Sequence, residues 1–132
     1  MAMYQKMTES IEITVKTSYL EEQSTPVDDH FVWAYQIEIR NLGEDTVQLL
    51  NRHWHITDSL GRVQEVRGPG VVGEQPTLAP GESFEYTSGT PLNTPSGIMV
   101  GTYEMQRSNG ERFNVDVPAF SLDSPYQPVR LH

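Results

Sequence analysis

The sequence predicts an all-β domain, an immunoglobulin or fibronectin type III-like antiparallel β-sandwich of about seven strands, with a barrel as the alternative. Three observations carry that prediction. Apolar and polar residues alternate with a period of two in several short runs, the pattern of half-buried strands. The 10 glycines and 9 prolines fall between those runs and leave almost no stretch for a helix. Pro80-Gly81 and Asn109-Gly110 are dipeptides suited to folding one strand back on the next.

The elements follow in order. Residues 1–9 are expected as a flexible N-terminus, 10–122 as the sandwich and 123–132 as an extended tail, because Pro118, Pro125 and Pro128 interrupt any regular ladder. From Ile11 the odd positions Ile11, Ile13, Val15, Thr17 and Tyr19 form an inward face, with Glu12, Lys16 and Ser18 outward. The run 31–40 does the same with Phe31, Trp33, Tyr35, Ile37 and Ile39, and is the clearest core strand. Asn41-Leu42-Gly43 then turns.

The run 46–57 changes parity midway: Val47 and Leu49 are odd, Trp54 and Ile56 even. A bulge near Leu50-Asn51-Arg52, or burial on both faces, reconciles the two halves. Asp58-Ser59-Leu60-Gly61 turns into a weak edge strand at 62–67. Pro80-Gly81 suits the centre of a type II turn before a run at 83–87, with Phe84 and Tyr86 on one side. Runs at 98–106 and 112–117 flank Asn109-Gly110. Within the first of these, Gly101-Thr102-Tyr103 resembles the corner segment whose tyrosine hydroxyl bonds back to the main chain.

At 132 residues and 14.9 kDa, 36% hydrophobic and 20% charged, the chain has the size and composition of a single globular unit. Its formal charge of −9 and pI near 4.7 repel nucleic-acid phosphates and anionic membrane surfaces, so neither is expected as a partner. No apolar run approaches bilayer-spanning length, and the first residues lack the apolar core of a secretory signal, so membrane insertion is not expected and a cytoplasmic location is. With no cysteine, disulfides, thiolate metal sites and thiol nucleophiles are excluded.

Four features bear on chemistry. Gly68-Pro69-Gly70-Val71-Val72-Gly73 matches the spacing of a dinucleotide-binding glycine motif, but Pro76 and Pro80 deny it the helix that such a motif needs. Two readings remain open for it. Its backbone amides form an anion nest with Arg67 and Arg52, or its glycines take unusual φ in an inter-strand crossing while Val71 and Val72 plug the sandwich end. His53-Trp54-His55 puts two imidazoles on one strand face, a spacing usable by zinc, cobalt or nickel, with Asp58, Asp28, Asp29 or His30 as further ligands; solvated surface histidines are the alternative. Glu21-Glu22 and Asp28-Asp29 are acidic pairs able to attract magnesium or to remain simply hydrated. Ser88 lacks a nucleophile elbow, and no spacing of carboxylates singles out an acid/base pair. Enzymatic activity is therefore not expected, phosphoanhydride hydrolysis being the alternative.

Several longer stretches resemble the bacterial ApaG family: Phe31-Val32-Trp33-Ala34-Tyr35-Gln36-Ile37-Glu38-Ile39-Arg40-Asn41, Val47-Gln48-Leu49-Leu50-Asn51-Arg52-His53-Trp54, Gly68-Pro69-Gly70-Val71-Val72-Gly73-Glu74-Gln75-Pro76, Ala79-Pro80-Gly81, Tyr86-Thr87-Ser88-Gly89 and Gly101-Thr102-Tyr103-Glu104-Met105. The resemblance implies a fibronectin type III-like sandwich, an association with cobalt resistance and magnesium efflux, and no established enzymatic activity. Similar modules in eukaryotic F-box and polymerase-interacting proteins imply protein–protein recognition. The family's glycine loop, considered a pyrophosphate site, is matched here by Gly68, Gly70 and Gly73.

The sequence thus points to a non-enzymatic interaction module whose recognition end combines the glycine loop with Trp54 and Tyr86 as contact area and Arg52 and Arg67 as anion or carboxylate contacts. Its expected partner is another protein, with a phosphorylated small molecule as the alternative and homodimerisation through a strand edge open. No cofactor is expected beyond weak magnesium or cobalt binding, the latter at His53 and His55.

Overall fold

The computed structural model describes residues 2–126. Nine strands follow one another: β1 (Ala2–Thr8), β2 (Ile11–Tyr19), β3 (Phe31–Asn41), β4 (Val47–Asp58), β5 (Val63–Pro69), β6 (Thr77–Leu78), β7 (Ser83–Leu92), β8 (Ser96–Arg107) and β9 (Arg112–Asp123), with two 3-10 turns, Glu21–Gln23 and Pro26–Asp28, between β2 and β3. They form two antiparallel sheets, ordered β1-β2-β3-β7 and β5-β4-β8-β9, and β6 continues the β5 edge by pairing with β4. This is the expected all-β sandwich.

The alternating runs place their apolar parity between the sheets. Ile11, Ile13 and Val15 of β2 pair beside Asn41, Ile39 and Ile37 of β3, and the apolar members of this set are buried. On the opposite sheet Leu49, Trp54, Met99, Tyr103, Met105, Val115 and Phe120 close the core. The Trp54 ring meets Tyr35 at 5.9 Å, Tyr103 at 6.1 Å and Phe120 at 6.0 Å, all tilted or edge-on, an arrangement that adds about 0.5–1.5 kcal/mol per pair beyond area burial. Gly101 sits opposite Trp54, and a Cβ there would stand 2.3 Å from the indole ring, so only glycine lets the ring lie across β8. The Trp33 indole N–H donates to the Asp123 carbonyl at 2.9 Å, tying the two sheets by a polar contact.

The parity change in β4 is a bulge at Leu50, where the pairing with β8 jumps between Leu49 and Asn51. The Pro80-Gly81 turn has the expected form, with Gly81 at φ +86° and the Glu82 amide donating to the Ala79 carbonyl at 2.9 Å.

Several expectations need correction. Residues 2–8, expected as a flexible lead-in, are a strand paired with β2 throughout. Tyr4 explains why: its ring packs on Phe120 at 6.2 Å and its hydroxyl accepts from the Ser121 amide at 3.2 Å, while Lys6 pairs with Asp116 at 3.2 Å. These contacts close β1 against β9. Pro118 does not end the last strand, because a second bulge absorbs it: two residues, Pro118 and Ala119, oppose Val100 alone, and the ladder resumes at Phe120. Of the tail expected at 123–132, positions 127–132 lie outside the described residues. The Tyr103 hydroxyl does not return to the main chain; it bonds the Tyr86 hydroxyl across the core, since β7 faces it from the other sheet.

Candidate functional site

The hairpin β4–β5 sets the geometry of the site. Its turn is fixed by Asp58, whose carboxylate accepts from the amides of Leu60 at 2.9 Å and Arg62 at 3.0 Å and from Arg62 Nε at 2.7 Å, with Gly61 at φ +82°. Residues equidistant from Leu60 then lie opposite one another: Thr57 beside Val63, His55 beside Glu65, His53 beside Arg67. Trp54 and Ile56 point into the core, so His53 and His55 point out, onto the same face as Glu65 and Arg67.

Three donor atoms converge there. His53 Nε2 lies 2.6 Å from Glu65 Oε1 and 3.2 Å from His55 Nε2, and His55 Nε2 lies 3.6 Å from Glu65 Oε1. The imidazoles stand edge to face, 4.7 Å between centroids. Arg67 reaches the same carboxylate oxygen through Nη2 at 2.7 Å and Nε at 3.1 Å. Hydrogen bonds from Arg67 first, and from His53 second, hold the Glu65 carboxyl below its ordinary pKa.

Glu65 is the converging donor that sequence reasoning missed. Asp58 is committed to its turn and to Arg62, while Asp28, Asp29 and His30 belong to the β2–β3 connection, where His30 bridges Thr25. The signal that finds Glu65 is the turn itself, whose centre fixes which β5 residue meets His55.

The glycine loop is built differently from an anion nest. The Gly70 amide donates to the Leu50 carbonyl at 2.8 Å, the Val71 amide to the Glu74 carbonyl at 2.8 Å and the Glu74 amide to the Val71 carbonyl at 2.9 Å. Three amides that a nest would aim at an anion are thus consumed within the chain. Arg52 faces carbonyls instead: its Nη1 donates to Pro69 O at 2.9 Å and to Gly70 O at 3.0 Å, and Gly68 leaves the guanidinium room to do so. Val72 and Gly73, at φ +43° and +79°, form the tip of a two-residue turn. At Gly70, φ +63°, a Cβ would stand 2.3 Å from the Glu74 carbonyl oxygen, so this close backbone approach requires glycine. No helix follows the loop; the chain runs into the short strand β6.

The proposed plug is half right. Val71 is buried, whereas Val72 is 55% exposed because the turn throws its side chain outward. Trp54 and Tyr86, expected as contact area, are 4% and 8% exposed and belong to the core. Burial pushes the Tyr86 hydroxyl well above the ordinary phenol range, as it does that of Tyr103. Arg52, His53 and Arg67 remain together with Thr102 and Glu104 along a shallow groove of about 530 Å³ on the outer face.

The ApaG domain family matches residues 21–107, a span that holds β3 to β8, the histidines His53 and His55, Glu65 and the whole glycine loop. The chain belongs to the ApaG family. Protein ApaG of Paramagnetospirillum magneticum is 65% identical over 130 residues, covering 98% of this chain and 100% of that protein. Protein ApaG of Parvibaculum lavamentivorans is 62% identical over the same length, 98% of this chain and 100% of its own. Among solved structures, the ApaA protein from Bordetella pertussis is 50% identical with a TM-score of 0.85, covering 89% of this chain and 95% of that one. The ApaG resemblance and the sandwich fold read from the sequence are therefore both shown. Among the described residues, no helix of this ApaG chain is long and apolar enough to cross a membrane.

Proposed function

We propose that the protein is a non-enzymatic recognition module that docks another protein through the tip of its glycine loop. One observation carries the reading: Val72, a β-branched side chain, is held exposed at φ +43°. Such a residue in the left-handed region costs of order 1–3 kcal/mol and persists only where its surroundings over-determine it. Here the surroundings are the paired amides and carbonyls of Val71 and Glu74 and the Arg52 clamp below them. A rigid scaffold presenting an apolar side chain at a strained tip suits insertion into an apolar recess of a partner.

Association with cobalt resistance and magnesium efflux, implied by the family resemblance, fits a cytoplasmic adaptor of this kind. The test is capture from a native extract by the purified protein, with and without divalent ions, compared with Val72→Asp. A specific partner retained by the original and lost by the variant, at unchanged circular dichroism, is the expected result; equal capture by both overturns the reading. Titration with nucleoside polyphosphates distinguishes the phosphate-ligand alternative, whose heats would be saturable and would vanish in Gly70→Val.

A further inference from the structure

We propose that His53, His55 and Glu65 form a binding site for a borderline transition-metal ion, of which zinc, cobalt(II) and nickel(II) are the chemical class. The argument begins with distances. Three donors bound to one ion at about 2.0–2.2 Å stand about 2.9–3.5 Å apart at octahedral to tetrahedral angles. The three separations found here, 2.6, 3.2 and 3.6 Å, bracket that range, so shifts of a few tenths of an ångström complete the triangle.

Rigidity supports the same conclusion. Both histidines sit on β4, a central strand paired with β5 on one side and β8 on the other, and each adjoins the buried Trp54. Glu65 is opposite His55 in the ladder. Sheet register therefore sets the backbone positions of the donors, and binding has only side-chain rotamers left to order.

The donor set selects the ion. Two imidazole nitrogens and one carboxylate suit zinc, cobalt or nickel, whereas magnesium takes oxygen ligands and retains its waters. All three side chains are partly exposed, so an ion held by them keeps coordination positions open to water or to a group brought by a partner. Arg67 competes: its guanidinium occupies the Glu65 oxygen that the ion needs. The ion takes only unprotonated ring nitrogens, so the proton His53 Nε2 donates to Glu65 must leave when it enters, and affinity rises with pH.

This site stands apart from the Val72 reading, and Val72→Asp is expected to leave metal affinity unchanged. The test uses untagged, chelator-treated protein, with zinc followed by calorimetry and cobalt(II) by its visible ligand-field absorption. A single equivalent is expected to bind, without competition from magnesium. Each of His53→Ala, His55→Ala and Glu65→Gln should weaken binding by more than about tenfold, Arg67→Gln should strengthen it, and His30→Ala should change nothing. Far-ultraviolet circular dichroism of each variant controls for folding. Absence of one-to-one binding overturns the proposal, as does affinity that survives in both His53→Ala and His55→Ala, or that falls with His30→Ala.

Discussion

Trp54 and His55 are adjacent on β4 and serve opposite ends. The indole of Trp54 is wedged among Tyr35, Tyr103 and Phe120 and lies across Gly101, where no other residue type leaves room for it. The imidazole of His55 faces outward beside His53 and Glu65. The inner face of the strand is thus held by volume and shape, and the outer face by register, since His55 meets Glu65 only because the Asp58 turn centres the hairpin on Leu60. Packing makes the scaffold, and the scaffold's register assembles the chemistry.

The largest expected effect breaks the comparison from the inside. Trp54→Ala removes a buried aromatic side chain and leaves a cavity between two sheets, which costs about 3–5 kcal/mol of unfolding free energy, read as a lower denaturant midpoint at unchanged m-value. His55→Ala, one residue away, should leave that midpoint essentially where it was while weakening the proposed metal binding by more than about tenfold. Equal losses of stability would mean that the two faces of β4 are not energetically separate.

A smaller effect sits at the polar contact inside the core. Tyr86 and Tyr103 bond hydroxyl to hydroxyl across the two sheets, both buried. Tyr103→Phe leaves the Tyr86 hydroxyl desolvated without this partner, a cost of about 1–3 kcal/mol. Removing both hydroxyls should recover part of that loss, because the penalty belongs to the unmatched group. A double-mutant cycle on the two phenylalanine variants measures it; strict additivity would sink the idea that the pair acts as a unit.

The two faces also differ in how far they can be read from sequence. Alternation in Phe31, Trp33, Tyr35, Ile37 and Ile39 reveals a core strand because burial acts on each residue separately. The bulge at Leu50 is equally legible, as a parity change. β1 was not: Tyr4 is its main apolar contact with the core, Met3 and Met7 are exposed, and one aromatic makes no period. On the outer face, His53 and His55 declare themselves by spacing, but Glu65 does not, because its role depends on pairing across a turn. The glycine loop was legible as a helix-free crossing. The direction of its amides, turned inward toward Leu50 and Glu74, is a property of tertiary contacts. Tyr86 shows the reverse case: its place near a loop suggests a contact surface, and the side chain belongs to the interior.

The smallest effect sharpens the outer face itself. Glu65 is held below its ordinary pKa by Arg67 first and His53 second. A carboxylate depressed in the folded state binds fewer protons there than in the unfolded chain, so its contribution is complete above the ordinary carboxylate range and fades as pH falls through the lowered value. Because the pair is solvent-exposed, the effect on stability is slight, and the direct readout is the Glu65 side-chain carboxyl carbon shift in an NMR titration. In Arg67→Gln its midpoint should rise toward the ordinary value, and addition of zinc should push it down again as the ion takes over the charge that the guanidinium supplied. A midpoint indifferent to Arg67 but responsive to zinc would assign the depression to His53 alone and remove the competition between guanidinium and metal. A midpoint responsive to Arg67 and indifferent to zinc would leave Glu65 as an ion-pair residue only.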